Sequence, residues 1–164
     1  MGGGCFPVGG LLPGVIYSAS PNPALALLGT GIAGNTSRVL GPNFFVDTFN
    51  LTFANANAVG FDVFPGPVAG NIAISVFDPA NVLLGTFSVS SPVGGTFFGV
   101  LSTTSNIGRI NIASQSTVPG ELIDNLAFGT AAAAIPEPTT MLLLGTGLAG
   151  VAAKVRRRRK SGSD

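Results

Sequence analysis

The chain has 164 residues, room for one folded domain and short appendages, and only 9% of them are charged against 46% hydrophobic. With 24 Gly, 12 Pro, 12 Phe and no Trp, this composition suits short strands joined by tight turns. The absence of histidine excludes Ser-His-Asp and Cys-His catalysis and the commonest zinc ligand, and a single cysteine, Cys5, excludes an intramolecular disulfide or a Cys-x-x-Cys site.

Residues 1–37 form an N-terminal segment whose structure is poorly defined by pattern, with room for a first strand or two. The opening stretch has no positively charged region, and Pro13 and Gly14 interrupt its apolar patch, so it does not read as a signal peptide; the expectation is a truncated or misassigned start. Gly29-Thr30-Gly31-Ile32-Ala33-Gly34 fits G-x-G-x-x-G, but Asn35-Thr36-Ser37 follows instead of a helix, so a dinucleotide site is not expected.

From residue 38 to 130 the chain reads as an antiparallel β-sandwich. Phe45, Asp47, Phe49, Leu51 and Phe53 alternate with Val46, Thr48, Asn50 and Thr52, which predicts a strand with one apolar face. Six more strands are predicted over residues 58–64, 71–77, 82–89, 96–101, 107–113 and 122–128. Turn formers such as Pro65-Gly66-Pro67, Asp78-Pro79 and Pro119-Gly120 separate several of them. A spacing of about 10–13 residues per strand fits a sandwich of the jelly-roll kind.

This body holds Arg38 and Arg109 against Asp47, Asp62, Asp78, Glu121 and Asp124, a net charge of −3, and offers no basic surface for nucleic acid. Asp78 precedes a proline and reads as a turn residue, while Asp47 and Asp62 are expected to point outward from strands. Asp124 lies among apolar residues beside Asn125. A half-buried carboxylate there must be paired or ligated, either by a neighbouring loop or, as a candidate structural metal site, by Ca²⁺. No other cofactor is expected. The twelve phenylalanines fall mostly in alternating strands and are read as core.

Residues 131–138 form a linker with Pro136-Glu137-Pro138, whose prolines favour extended backbone that a protease can bind as a strand. Residues 139–155 are apolar except for Lys154, and at about 1.5 Å per residue they form a helix of the shortest length that crosses a bilayer core. Arg156, Arg157, Arg158, Arg159 and Lys160 follow at once, a stop-transfer cluster that keeps residues 156–164 cytoplasmic. The predicted fold class is therefore all-β, an antiparallel jelly-roll-like sandwich followed by one C-terminal transmembrane helix in contact with lipid.

Ile135-Pro136-Glu137-Pro138-Thr139-Thr140, a Leu-rich span with Gly-Thr-Gly-Leu-Ala and the terminal Arg/Lys cluster together resemble the sorting signal of PEP-CTERM proteins. The resemblance implies an exosortase, a membrane protease, as partner, and removal or exchange of the tail on export in bacteria that make exopolysaccharide. The alternating segments of the body, closing on Ile123-Asp124-Asn125-Leu126, resemble the lectin-like jelly-roll ectodomain common in such proteins.

The reading that follows is an exported surface or extracellular-matrix protein without enzymatic activity. It passes the inner membrane with its C-terminus cytoplasmic and then resides in the envelope or outside the cell. The alternative is a carbohydrate-binding module displayed at or released from the surface, with polysaccharide as partner. A polysaccharide-active enzyme ranks last, because no pair of acids can be identified from sequence.

Overall fold

Most stretches in which apolar and polar side chains alternate between turn formers are extended. The structure, a computed structural model, describes residues 5–6, 12–115 and 120–131. These form eleven strands: β1 Cys5–Phe6, β2 Val15–Ser20, β3 Leu25–Leu28, β4 Val39–Pro42, β5 Thr48–Phe53, β6 Ala58–Phe64, β7 Gly70–Phe77, β8 Leu83–Ser91, β9 Thr96–Leu101, β10 Arg109–Ser114 and β11 Leu122–Gly129. The described residues make one compact unit. Pro136-Glu137-Pro138, the expected transmembrane helix over 139–155 and the basic cluster 156–160 lie outside the described residues. Among the described residues no helix is long and apolar enough to cross a membrane.

Two antiparallel sheets face each other, one in the order β1-β3-β4-β11-β6-β9 and the other β2-β5-β10-β7-β8. Period-two alternation puts one side of each strand in the gap between them. Phe49 and Leu51 on β5, Phe61 on β6, Ile72 and Ile74 on β7 and Ile110 and Ile112 on β10 are fully buried there. Each contributes roughly 1.5–3 kcal/mol relative to exposure in water. Phe61 meets Phe98 in a tilted ring pair at 5.5 Å between centroids, which ties β6 to β9 across the core side of the sheet.

All seven predicted strands are present, and β1 to β4 add four more. The Leu25-Ala26-Leu27-Leu28 run of β3 has no alternation, and β4 is buried at all four positions, so neither strand shows a period of two in the sequence. One expectation is corrected. The alternation read from Phe45 becomes strand only at Thr48, because residues 44–47 form a turn closed by the Asp47 N–H bonding the Phe44 carbonyl at 2.9 Å. Asp47 does not point outward but is 2% exposed. Asp78 is a turn residue as expected: its Oδ1 accepts from the N–H groups of Ala80 and Val82, both at 2.8 Å.

Candidate functional site

The outer face of the six-stranded sheet carries an unusual row of side chains. On β6, Val59, Phe61 and Val63 point into the core, which leaves Ala58, Gly60 and Asp62 on the outside. On β9, Phe98 is buried and Phe97 is 69% exposed. On β11, Ile123 is buried and Asp124 lies on the outer side. The registers Phe97↔Asp62 and Asp62↔Asp124 place one aromatic ring and two carboxylates side by side across three strands.

A β-bulge completes the row. Between Asp124 and Ala127 the β6–β11 pairing shifts, so that β11 uses one residue more than β6. Asn125 takes up the extra step with φ of 52°, a left-handed conformation that Asn tolerates better than most residues. Its Nδ2 donates to Asp62 Oδ2 at 2.8 Å, and its backbone N–H donates to Asp124 Oδ1 at 2.8 Å. After the bulge Leu126 and Phe128 return to the core.

The β3–β4 connection covers one end of this face. Asn35 is buried and holds the loop in shape, accepting from the Ala33 N–H at 3.0 Å and donating to the carbonyls of Gly29, at 3.0 Å, and Ser37. The Gly94 N–H bonds the Ala33 carbonyl at 2.8 Å, which pins the loop to the β8–β9 turn. No helix follows Gly34, so the G-x-G-x-x-G match is a loop, as expected. The loop's end delivers the Ser37 hydroxyl to Asp124 Oδ2. The result is a polar cleft of about 240 Å³ lined by Ser37, Asp62, Asp124 and Asn125, with Phe97 at its edge.

Beside the cleft the face is flat. Gly99, Gly60 and Ala127 share the next register row, and Leu101, Ala58 and Gly129 the one after. The Phe97 ring lies over Gly60 and Gly99: a Cβ at Gly60 would stand 2.9 Å from Phe97 Cζ, and one at Gly99 2.9 Å from Phe97 Cε1. Glycine at both positions is what lets the ring lie low on the sheet.

Of the sequence candidates, Asp124 is thus paired with a neighbouring loop, and the structure adds Asp62, Asn125, Ser37 and Phe97 to it. Phe97 is an exception to the reading of the phenylalanines as core. The adjacent pair Phe97-Phe98 carried the signal, since neighbouring strand residues face opposite ways. The two carboxylates provide acceptors for hydroxyl or amide donors. Among the described residues no group of three or more His, Cys, Asp or Glu side chains stands ready for a metal ion.

Asp47 and Glu121 lie apart from this face, enclosed by the sandwich at 2% and 1% exposure. Burial is the main cause that pushes the Glu121 carboxyl up to about 8; the Asp47 charge adds to the rise, and a backbone hydrogen bond at Ser114 opposes it.

Residues 134–159 match the family described as the PEP-CTERM protein-sorting motif. No curated protein matches the chain. Among solved structures, a point mutant of the family 29 carbohydrate-binding module CBM29-2 is 14% identical, covering 74% of this chain and 99% of its own, with a TM-score of 0.40. A second structure of a family 29 module is 15% identical, covers 71% and 90%, and has a TM-score of 0.39. The enzymatically active domain of tailspike protein 4 from bacteriophage CBA120 is 16% identical, covers 71% and 19%, and has a TM-score of 0.40.

Proposed function

We propose that this chain, whose PEP-CTERM motif marks it for exosortase-targeted export, is a non-enzymatic envelope or matrix protein that holds polysaccharide on the outer face of its six-stranded sheet. The observation that carries the binding reading is the row Phe97–Asp62–Asp124 beside a floor of glycine and alanine. A pyranose ring presents an apolar C–H face and a rim of hydroxyls. Phe97 offers the first a ring to stack on, and the carboxylates of Asp62 and Asp124 accept from the second. The small residues Gly60, Gly99, Ala127, Ala58 and Gly129, with Leu101 as an apolar edge, leave room for further sugar units beside the ring.

A glycosidase reading has less support. Hydrolysis needs one carboxyl that holds a proton near neutral pH beside a second carboxylate, both in reach of the glycosidic bond. Glu121 has the raised pKa, but it is enclosed at 1% exposure and away from the open face.

The tail works as a temporary handle. Residues 139–155 enter the bilayer, Arg156–Lys160 hold the C-terminus in the cytoplasm, and the exosortase acts at Pro136-Glu137-Pro138 once the sandwich is outside.

The test of binding is retention of the full chain on immobilised polysaccharides, neutral and acidic, compared with the Asp62→Ala/Asp124→Ala double variant. Retention of the wild type on at least one glycan and its loss in the variant are expected. Equal behaviour of the two proteins on every glycan would defeat the proposal.

A further inference from the structure

Asp47 and Glu121 come from separate parts of the chain, Asp47 from the turn before β5 and Glu121 from the residue before β11. Both carboxylates are enclosed; Phe49 pairs with Ile112 in the antiparallel β5–β10 register, Asp47 lies two residues before Phe49, and Ser114, whose backbone bonds the Glu121 carboxylate, lies two residues after Ile112. Asp47 Oδ2 accepts the Asn22 N–H at 3.1 Å, whereas Glu121 Oε2 has no hydrogen-bond partner among the described residues. The two cations of the body are engaged elsewhere. Arg109 lies 3.9 Å over the Phe77 ring and bonds Asn50 and Asn81, and Arg38 lines a separate cleft with Asp124.

Two enclosed carboxylates with no positive side chain beside them among the described residues, one with a free oxygen, make an unusual burial. Desolvating a charge is unfavourable unless a counter-charge or hydrogen bonds meet it. The shared need is a compact hard cation that binds oxygen. We infer that Asp47 and Glu121 are ligands of a divalent cation of the calcium class, which ties the β4–β5 turn to the start of β11.

Two carboxylates balance the charge of Ca²⁺, and carbonyl or water oxygens ordinarily complete its shell of six to eight. The Asp62–Asp124 pair differs in the features that matter. Its oxygens already receive the Ser37 hydroxyl, the Asn125 N–H and the Asn125 amide, and both residues line an open cleft where water can solvate them. The enclosed pair has a buried oxygen without a partner, whereas the open pair faces a cleft that water can enter. The calcium ligand set is therefore assigned to Asp47 and Glu121 instead of Asp124.

The experiment follows thermal unfolding of the full chain in EDTA and in about 10 mM calcium chloride, a concentration tenfold above the weakest extracellular calcium modules. The midpoint should rise by about 5 °C on adding calcium. Glu121→Gln should lose that rise, and the Asp62→Asn/Asp124→Asn double variant should keep it. Calorimetric titration should give one calcium per chain for both the wild type and the double variant. If Glu121→Gln does not fold, the double variant decides: retained calcium supports the assignment, and lost calcium overturns it. An unchanged wild-type midpoint together with no heat of binding also overturns it, as does a calcium response that survives in Glu121→Gln.

Discussion

Asp62 and Asp124 stand directly opposite one another on β6 and β11, and the amide that reaches between them belongs to Asn125, whose Nδ2 donates to Asp62 Oδ2 at 2.8 Å. Like charges at opposed positions destabilise a sheet, so the bulge does two things at once. It re-aims Asn125 to the outer face, where its amide offsets the repulsion, and it returns Leu126 and Phe128 to the core. Local stability is given up to keep two acids beside an exposed ring, a conflict that proteins tolerate chiefly at functional sites.

Replacing Phe97 by alanine separates binding from folding. At 69% exposure the ring adds little to the core, and the loss of stability should stay within about 0.5 kcal/mol. Retention on polysaccharide should fall about tenfold, equivalent to about 1.4 kcal/mol. Affinity electrophoresis together with a circular dichroism melt reads both quantities. A variant that binds as well as wild type would remove the ring from the site.

Gly60→Ala tests the low seat of that ring. The new methyl would meet Phe97 Cζ at 2.9 Å, but the ring is exposed and can lift. Alanine in a strand interior regains about 0.5–1 kcal/mol that glycine forfeits in entropy. Stability should hold or rise while polysaccharide affinity falls. Loss of both together would mean that the substitution damages the sheet instead of the binding face.

Much of this fold could be read from periodicity, because the sheets are built where alternation is strong. Phe49, Leu51 and Phe53 identify β5 without help, and Ile72, Ile74 and Val76 do the same for β7. The sequence is silent on β3 and β4, since the Leu25–Leu28 run has no polar alternation and a strand buried along its whole length, as β4 is, loses the period of two. The site was less legible for a related reason. Asp124 stood out as an acid among apolar neighbours, but its partners Asp62 and Ser37 are 62 and 87 residues away, the latter as in the loop contact, and meet it only through register and loop packing. The enclosure of Asp47 depends on a turn that interrupts a pattern continuing unbroken through the residues themselves.

Glu121 makes the stability of the calcium-free protein depend on pH. Its carboxyl ionises near 4.5 when the chain is unfolded and near 8 when folded, so between these values the folded state holds the extra proton. Folding is favoured most below about 4.5 and loses stability as pH rises through about 8. In EDTA the unfolding midpoint should therefore drop between pH 5 and pH 9, and Glu121→Gln, which cannot ionise, should flatten the drop. Asp47 is the neighbouring acid whose charge adds to the effect, and Asp47→Asn should reduce the drop without abolishing it. Parallel curves for the wild type and Glu121→Gln would show that the carboxyl does not ionise in this range.

The sorting tail makes a prediction independent of the sandwich. Pro136, Glu137 and Pro138 fall within the motif matched at 134–159. Alanine at all three positions leaves the apolar run and the basic cluster intact, so the chain should still reach the membrane and stop there. What it should lose is cleavage. In a host with the matching exosortase, the mature wild-type protein should be lighter than the full chain by roughly the tail, and the triple variant should stay at full mass in the membrane fraction. Equal masses for the two proteins would mean that the motif is a linker before a permanent anchor. Release of the triple variant would mean that another protease cuts elsewhere in the tail.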